Sequence, residues 1–425
     1  MANEFKAEVF QNEYLPSGSG EVNAIVTVTA GEGPSSGSTT DRTFGIICDS
    51  SGSMQGAKLN AVKDAMAKLV GMLPSNCSFF IVTGCHLATV VFPVATATPD
   101  NKHSAVVAIE GIVAKGATKM STWLNAALQE FKSTPEGVRQ ALLLTDGQND
   151  TADAKSLNAV LDSCAGIFQC DCRGVGTDWK VEQLRQIGDR LLGTTDIIPV
   201  PEQIGPDFKA ILEKALGKNI SDLQMRLWTI PGSEVKFCKE VSPEIVDLSQ
   251  RFRQREPNVR DYPTGSWGGG ESRDFHLCIK VKPGKPGEEL VVGQITLIHT
   301  QGTMETGLAE ARIRAIWTGD AAMSTRIDPM VAHYTGQAEL AQSIQAGLEA
   351  RGRGDDAMAT TLLSKAVRIA ALSGNEATGK LLQTVVDVKD AEKGTVVLKR
   401  SVAKEDEMAL ETRSLKTTRI PKYKD

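Results

Sequence analysis

Cysteine, histidine and aromatic residues are all sparse in this chain: eight cysteines, five histidines and 5% Phe, Trp and Tyr in 425 residues. The cysteines are too few for a disulfide framework, and Cys48, Cys85, Cys170, Cys172 and Cys278 lie in or beside apolar, strand-like runs. They read as buried free thiols of a reducing cytosol. Cys170-Asp171-Cys172 is one residue too short for a CxxC redox or zinc knuckle. His86, His103, His276, His299 and His333 are scattered, without HExxH or paired spacing. No run of about 18 apolar residues occurs, so no membrane span is expected. Met1-Ala2-Asn3-Glu4-Phe5-Lys6 has no basic stretch leading into an apolar core, so no secretory signal and a cytoplasmic location are expected. A net charge of -5 argues against general binding to nucleic acid or an anionic membrane surface. A Walker Gly-x4-Gly-Lys-[Ser/Thr] loop is absent, and Gly174-Val175-Gly176 is only a Gly-x-Gly, which argues against a nucleotide site.

Against these absences stands Asp49-Ser50-Ser51-Gly52-Ser53. It closes the apolar run Thr43–Cys48 and opens a helical stretch from about Ala57. A carboxylate and two hydroxyls, at steps of two, therefore stand at the carboxyl end of a buried strand, where open α/β sheets bind ligands. The donors are all oxygen and carry a single charge. That suits a hard cation such as Mg²⁺, with Mn²⁺ or Ca²⁺ as alternatives, and not a soft metal. Further on, Gly116-Ala117-Thr118 precedes the helical stretch Ser121–Phe131, and the apolar strand Arg139–Thr145 runs into Asp146-Gly147. Neighbouring strands of a doubly wound sheet bring their carboxyl ends to one crevice, so Asp49, Ser51, Ser53, Thr118 and Asp146 can share one ion. Taken singly, Ser51 and Ser53 also suit a helix N-cap and Asp146 a turn; all five in this order are much harder to explain that way.

The constellation resembles the metal-ion-dependent adhesion site of the von Willebrand factor type A (vWA) family, over roughly Thr43 to Gly217. The resemblance implies a Rossmann-like doubly wound α/β domain. It also implies a divalent ion held by Ser51, Ser53 and Thr118 with Asp49 and Asp146 flanking, and a partner's Asp or Glu completing the shell. The implied role is a non-enzymatic protein-interaction module in a bacterial signalling or assembly system. The relatives it brings to mind are bacterial cytoplasmic vWA proteins, which occur with protein kinases, PP2C-type phosphatases, FHA-domain proteins or AAA+ ATPases. The alternative is a metal-dependent hydrolase of phosphoesters. Against it, position 51 carries no acid, and no further base lies in motif context; Asp150 and Asp178 read as rim residues. A surface adhesin is a third reading, disfavoured by the missing signal.

The chain divides by pattern. Residues 1–40 read as an N-terminal β-hairpin (Phe5–Tyr14 and Glu21–Thr29) that joins a later sandwich, with a Gly/Ser-rich connection over Gly31–Asp41. Residues 41–218 alternate strand and helix, the mark of a parallel sheet. Ala57–Val70 carries Leu59, Val62, Met66 and Leu69 on one helical face, and Ala105–Val113 is a further helix. Residues 219–320 read as an antiparallel β-sandwich, 321–392 as a small helical bundle, and 393–425 as a tail or hairpin with solvated basic residues. The Gly-rich stretch Tyr262–Asp274 reads as a long loop, whose Trp267 either anchors a partner or folds back on the core.

Overall fold

The computed structural model describes residues 5–32 and 41–419. Most of the Gly31–Asp41 connection, and the terminal lysines Lys422 and Lys424, lie outside them. The chain opens with three strands, β1 (Phe5–Gln11), β2 (Tyr14–Pro16) and β3 (Glu21–Ala30). There follow β4 (Arg42–Asp49), α1 (Ala57–Met72), β5 (Cys77–Gly84), β6 (Ala88–Thr96), α2 (Pro99–Glu110) and α3 (Met120–Lys132). Next come β7 (Val138–Thr145), α4 (Ala154–Cys164), β8 (Gln169–Val175), α5 (Val181–Arg190), β9 (Thr195–Ile198) and α6 (Ile204–Leu216). The described residues fall into two compact units, one drawn from Ser35–Asp222 with Gly265–Gly268, the other from Met1–Pro34, Leu223–Thr264 and Gly269–Asp425.

The first unit is built on a six-stranded sheet in the order β6-β5-β4-β7-β8-β9. All pairs are parallel except the edge pair β5–β6. Counted within the unit this is 3-2-1-4-5-6, the doubly wound order, whose direction reverses between β4 and β7. β4 is apolar almost throughout because it is covered on both faces: Thr43 to Asp49 are all buried. α1 lays Leu59, Val62, Met66 and Leu69 into the core cluster with Phe44, Ile46 and Cys48 of β4. α2 starts earlier than the apolar spacing implies, at Pro99, because Thr98 caps it by accepting from the Asn101 N–H and proline is tolerated in the first turn.

The second unit holds β10 (Lys218–Thr229), β11 (Glu234–Ser242), β12 (Val246–Asp247), β13 (Arg253–Glu256), β14 (Val259–Gly268), β15 (Ser272–Lys280), β16 (Glu289–Gln301) and β17 (Met304–Thr318), with the first residues of β10 and the last of β14 assigned to the other unit. Two sheets result, β1-β3-β15-β11-β12 and β13-β14-β10-β16-β17-β2. They face one another: a Cβ on Gly293 of β16 would lie 2.9 Å from Ile279 Cδ1 of β15. β1 and β3 pair as a hairpin, β3 continues into β15, and the short β2 leaves them to run parallel to β17 in the other sheet.

The Tyr262–Asp274 stretch is not a long loop. It is most of a strand pair, β14 and the start of β15, whose glycines admit a positive φ at Gly265 and Gly270. Trp267 lies on β14 and is fully buried, which overturns its reading as an exposed anchor.

Helices α7 (Ala321–Ser324), α8 (Pro329–Gly352), α9 (Asp356–Leu372) and α10 (Glu376–Val385) follow, then β18 (Val386–Asp390), β19 (Thr395–Leu398) and α11 (Lys404–Arg413). Asp328, Asp355 and Asn375 cap α8, α9 and α10 through their side chains. Residues beyond 393 are therefore more than a tail or self-contained hairpin. β19 pairs back with β18, and Leu410 of α11 joins the core of α8, α9 and α10. All eight cysteines are free and buried. No helix of the described residues is long and apolar enough to cross a membrane.

Candidate metal centre at the reversal of the sheet

Asp49 ends β4 and Asp146 follows β7, the two strands that flank the reversal. Their register, Cys48 opposite Leu144, delivers both carboxylates to one edge. Both are fully buried. Beyond Asp49 the chain is fixed by backbone contacts: the Ser50 N–H donates to Gly84 O (2.7 Å), Gly52 N–H to Gly116 O (3.0 Å), and Lys115 N–H to Ser50 O (2.8 Å). The segment carrying Thr118 is fastened to β7's loop in turn, since Asp150 N–H donates to Thr118 O (3.0 Å). Three segments distant in sequence are thus locked together by main chain alone, leaving their side chains free for other work.

Those side chains form a chain of oxygens. Asp49 Oδ1 accepts the Ser51 N–H at 2.7 Å, and its Oδ2 accepts the Thr145 hydroxyl. The Ser51 and Ser53 hydroxyls are 3.0 Å apart, and Ser53 donates to Asp146 Oδ1 at 2.6 Å. Burial raises the Asp49 carboxyl above its ordinary range; the hydrogen bonds from Thr145 and Ser51 oppose this, and the neighbouring Asp146 adds to it. Thr118 is buried, and its position relative to the others is fixed by Gly147: a Cβ on that glycine would lie 3.3 Å from Thr118 Oγ1, 3.6 Å from Ser53 Oγ and 3.8 Å from Asp49 Oδ2. Residues from all three segments that sequence reading singled out therefore converge on one small space, kept open by the missing side chain of Gly147.

This donor set fits a hard dication. Neighbouring oxygens of an octahedral Mg²⁺ shell, with bonds of about 2.1 Å, stand about 3.0 Å apart, and the serine hydroxyls have that spacing. Among the described residues no three or more His, Cys, Asp or Glu gather as a metal cluster. Any ion here depends on hydroxyls, as an oxygen-preferring cation allows and a thiolate- or imidazole-preferring one does not.

Several residues outside the five donors contribute. Thr145 holds Asp49 while accepting the Gly147 N–H at 3.1 Å. Lys58, in the first turn of α1, donates to Asp146 Oδ2 at 2.6 Å. Asn149 and Asp153 hold the start of α3 by accepting from the Met120 N–H (2.8 Å) and the Ser121 N–H (3.0 Å). Trp123 packs where a Gly84 side chain would be, and its indole N–H donates to Cys85 O (2.7 Å). Of the acids read as rim residues, Asp150 caps a 3₁₀ turn by accepting the Ala152 N–H, and Asp178 is exposed 3.8 Å from Lys58 Nζ. The Gly174-Val175-Gly176 turn serves packing: Trp179 occupies the space a Gly174 side chain would need.

The comparisons with known proteins bear on the family and the fold. Residues 45–197 match the family model of the von Willebrand factor type A domain, and residues 368–414 match that of the von Willebrand factor type A C-terminal domain. A solved von Willebrand factor type A protein from Catenulispora acidiphila is 38% identical, with 99% of this chain and 98% of that chain covered and a TM-score of 0.93. The chain belongs to the von Willebrand factor type A family. The ArnB paralog VWA2 from Sulfolobus acidocaldarius shares the fold at 14% identity, covering 97% of this chain and 98% of its own, with a TM-score of 0.61. A curated relative from Synechocystis, described as an uncharacterized protein, is 24% identical over 59% of this chain; the match spans only 60% of that relative's length. The C-terminal family match covers α10, the β18–β19 pair and α11, the elements read from sequence as a bundle end and a tail.

Proposed function

We propose that this chain is a non-enzymatic interaction module that binds an acidic group of a partner protein through a Mg²⁺ ion held at Asp49, Ser51, Ser53, Thr118 and Asp146. The observation that carries the reading is the convergence of these donors around Gly147 at the reversal of the sheet. Bound there, the ion would supply a Lewis-acidic position that accepts a carboxylate oxygen. The chain's own residues do the rest. Thr145 and the Ser51 N–H orient Asp49, Ser53 orients Asp146, and the backbone contacts of Ser50, Gly52 and Lys115 fix the loops. Five protein oxygens would leave one position of an octahedral shell open, and two carboxylates balance a dication without the excess negative charge that would repel an incoming carboxylate. Absence of turnover is part of the proposal: the centre has no second cluster of acids or histidines among the described residues to build a two-metal hydrolase. A bacterial signalling or assembly system, with kinase, PP2C-type phosphatase, FHA-domain or AAA+ components as candidate partners in the cytoplasm, is the context we propose.

The test is capture of partners from native lysate, with Mg²⁺ and with EDTA, by wild type and by Asp49→Ala. Retention by wild type with Mg²⁺ alone supports the reading. Retention that ignores both EDTA and the substitution rejects a metal-bridged contact. Phosphoester turnover lost in Asp49→Ala would replace the module with the hydrolase.

A further inference from the structure

Lys58 is electrostatically out of place. It is the second residue of α1, where the unpaired N–H groups of a helix already concentrate positive charge and a lysine is disfavoured. Yet its ammonium reaches Asp146 Oδ2 at 2.6 Å, inside the donor set, and it lies 3.8 Å from the exposed Asp178 carboxylate on the loop between β8 and α5. Asp146 is completely buried, and the Lys58 ammonium is the counter-charge in direct contact with it. A divalent ion drawing on Asp146 must share that carboxylate with an ammonium. The flexible four-carbon stem of lysine gives it a second partner within a short swing.

We propose that Lys58 is a built-in counter-cation that competes with the divalent metal for Asp146 and transfers to Asp178 when the metal takes that carboxylate, so that the Asp146–Lys58–Asp178 relay sets the affinity of the centre. The proposal rests on the metal-centre reading above. It assigns Lys58 and Asp178 as positioning residues, neither of them a metal ligand. With metal bound, the relay holds a positive charge at the rim, and this favours an anionic partner group over a neutral one.

The experiment is calorimetric titration of the full chain with Mg²⁺ alone, comparing wild type, Lys58→Gln, Lys58→Arg, Asp178→Asn and the double variant. The expected result is binding about tenfold tighter in Lys58→Gln, binding near wild type in Lys58→Arg, and about threefold weaker binding in Asp178→Asn. In the Lys58→Gln background, Asp178→Asn should have no further effect, because Asp178 acts through the ammonium. Should Lys58→Gln not fold, Lys58→Met keeps the aliphatic stem and gives the same reading. Binding in the neutral variants equal to or weaker than wild type overturns the competition while leaving the metal centre intact. An equal loss from Asp178→Asn in both backgrounds overturns the transfer. Failure of wild type and both neutral variants to bind Mg²⁺ overturns the relay and the metal-centre reading together.

Discussion

The hydroxyl of Thr145 donates to Oδ2 of Asp49, joining the last residue of β7 to the last residue of β4. The same hydroxyl accepts the Gly147 N–H, so one oxygen fixes the carboxylate and the turn that frames the open space. Thr145→Val keeps the shape and removes both bonds. Supporting contacts of this kind are worth about 10–100-fold in metal affinity, and a Mg²⁺ titration of Thr145→Val should show a loss of that size with an unchanged far-ultraviolet spectrum. Unaltered affinity would mean that Asp49 is held by the Ser51 N–H alone.

Gly84 ends β5 against the ring of Trp123, and a Cβ there would approach the indole to 2.0 Å. The indole also holds Cys85 O, and Cys85 O accepts the Lys119 N–H, next to Thr118. Gly84→Ala should therefore cost about 1–3 kcal/mol, the usual range for forcing extra volume into a packed core. It should also weaken Mg²⁺ binding through displacement of Thr118. Chemical denaturation and titration of the same variant check both effects.

The second unit has a buried acid of its own. Asp274 on β15 is fully buried and accepts from Thr27 (2.6 Å), from Arg419 Nε (2.8 Å) and from the hydroxyl of Tyr334 on α8. Burial and the adjacent carboxylate push the Tyr334 hydroxyl far above its ordinary range, so it remains a donor throughout the physiological range. Tyr334→Phe leaves a buried carboxylate short of one donor, and stability should fall by about 1–3 kcal/mol. Urea unfolding followed in the second unit measures it, and a loss below a few tenths would show that Thr27 and Arg419 suffice.

His276 on β15 is buried and paired with Asn23 Oδ1 at 3.2 Å. Burial first, and the cross-strand Lys239 second, lower its pKa from 6.5 to about 4. Between those values the unfolded chain binds a proton that the folded chain refuses. The contribution of this residue is therefore full above the ordinary value and is lost as pH falls toward 4. Taken whole, the shift corresponds to about 3 kcal/mol. His276→Asn should flatten the acid limb of the stability–pH curve relative to wild type, and identical limbs in thermal melts would reject the assignment.

How far these features were legible in the sequence depended on the range of the signal. Asp49, Ser51 and Ser53 sit within five consecutive residues, and Thr118 and Asp146 each sit beside a strand or helix boundary marked by glycine. Lys58 gave no such sign, and Thr145 stood out only as the strand end before Asp146-Gly147, not as a partner of Asp49. A lysine in a first helical turn, or a threonine ending a strand, takes its role only from the neighbour that folding brings across. The carboxyl-terminal reading failed for a different reason. Met408 and Leu410 alternate as in a strand, and that spacing outweighed Glu405, Asp406 and Glu407, three acids in a row where a helix N-terminus favours negative charge. In Tyr262–Asp274 the glycines suggested a loop, although β14 takes in Gly265, at positive φ, and Gly268, and only a short turn with Gly269 and Gly270 separates it from β15.

Gly147 gives the family pattern a sixth member that consists of an absence. A methyl group at that position would press on Thr118 Oγ1 at 3.3 Å and touch Ser53 Oγ and Asp49 Oδ2, without removing any of the five donors. A chain could then carry Asp, Ser, Ser, Thr and Asp in perfect order and still offer an ion less room. What distinguishes a working centre from a silent one is volume as much as ligand chemistry, and in this chain that volume is kept by the one residue that contributes no side chain.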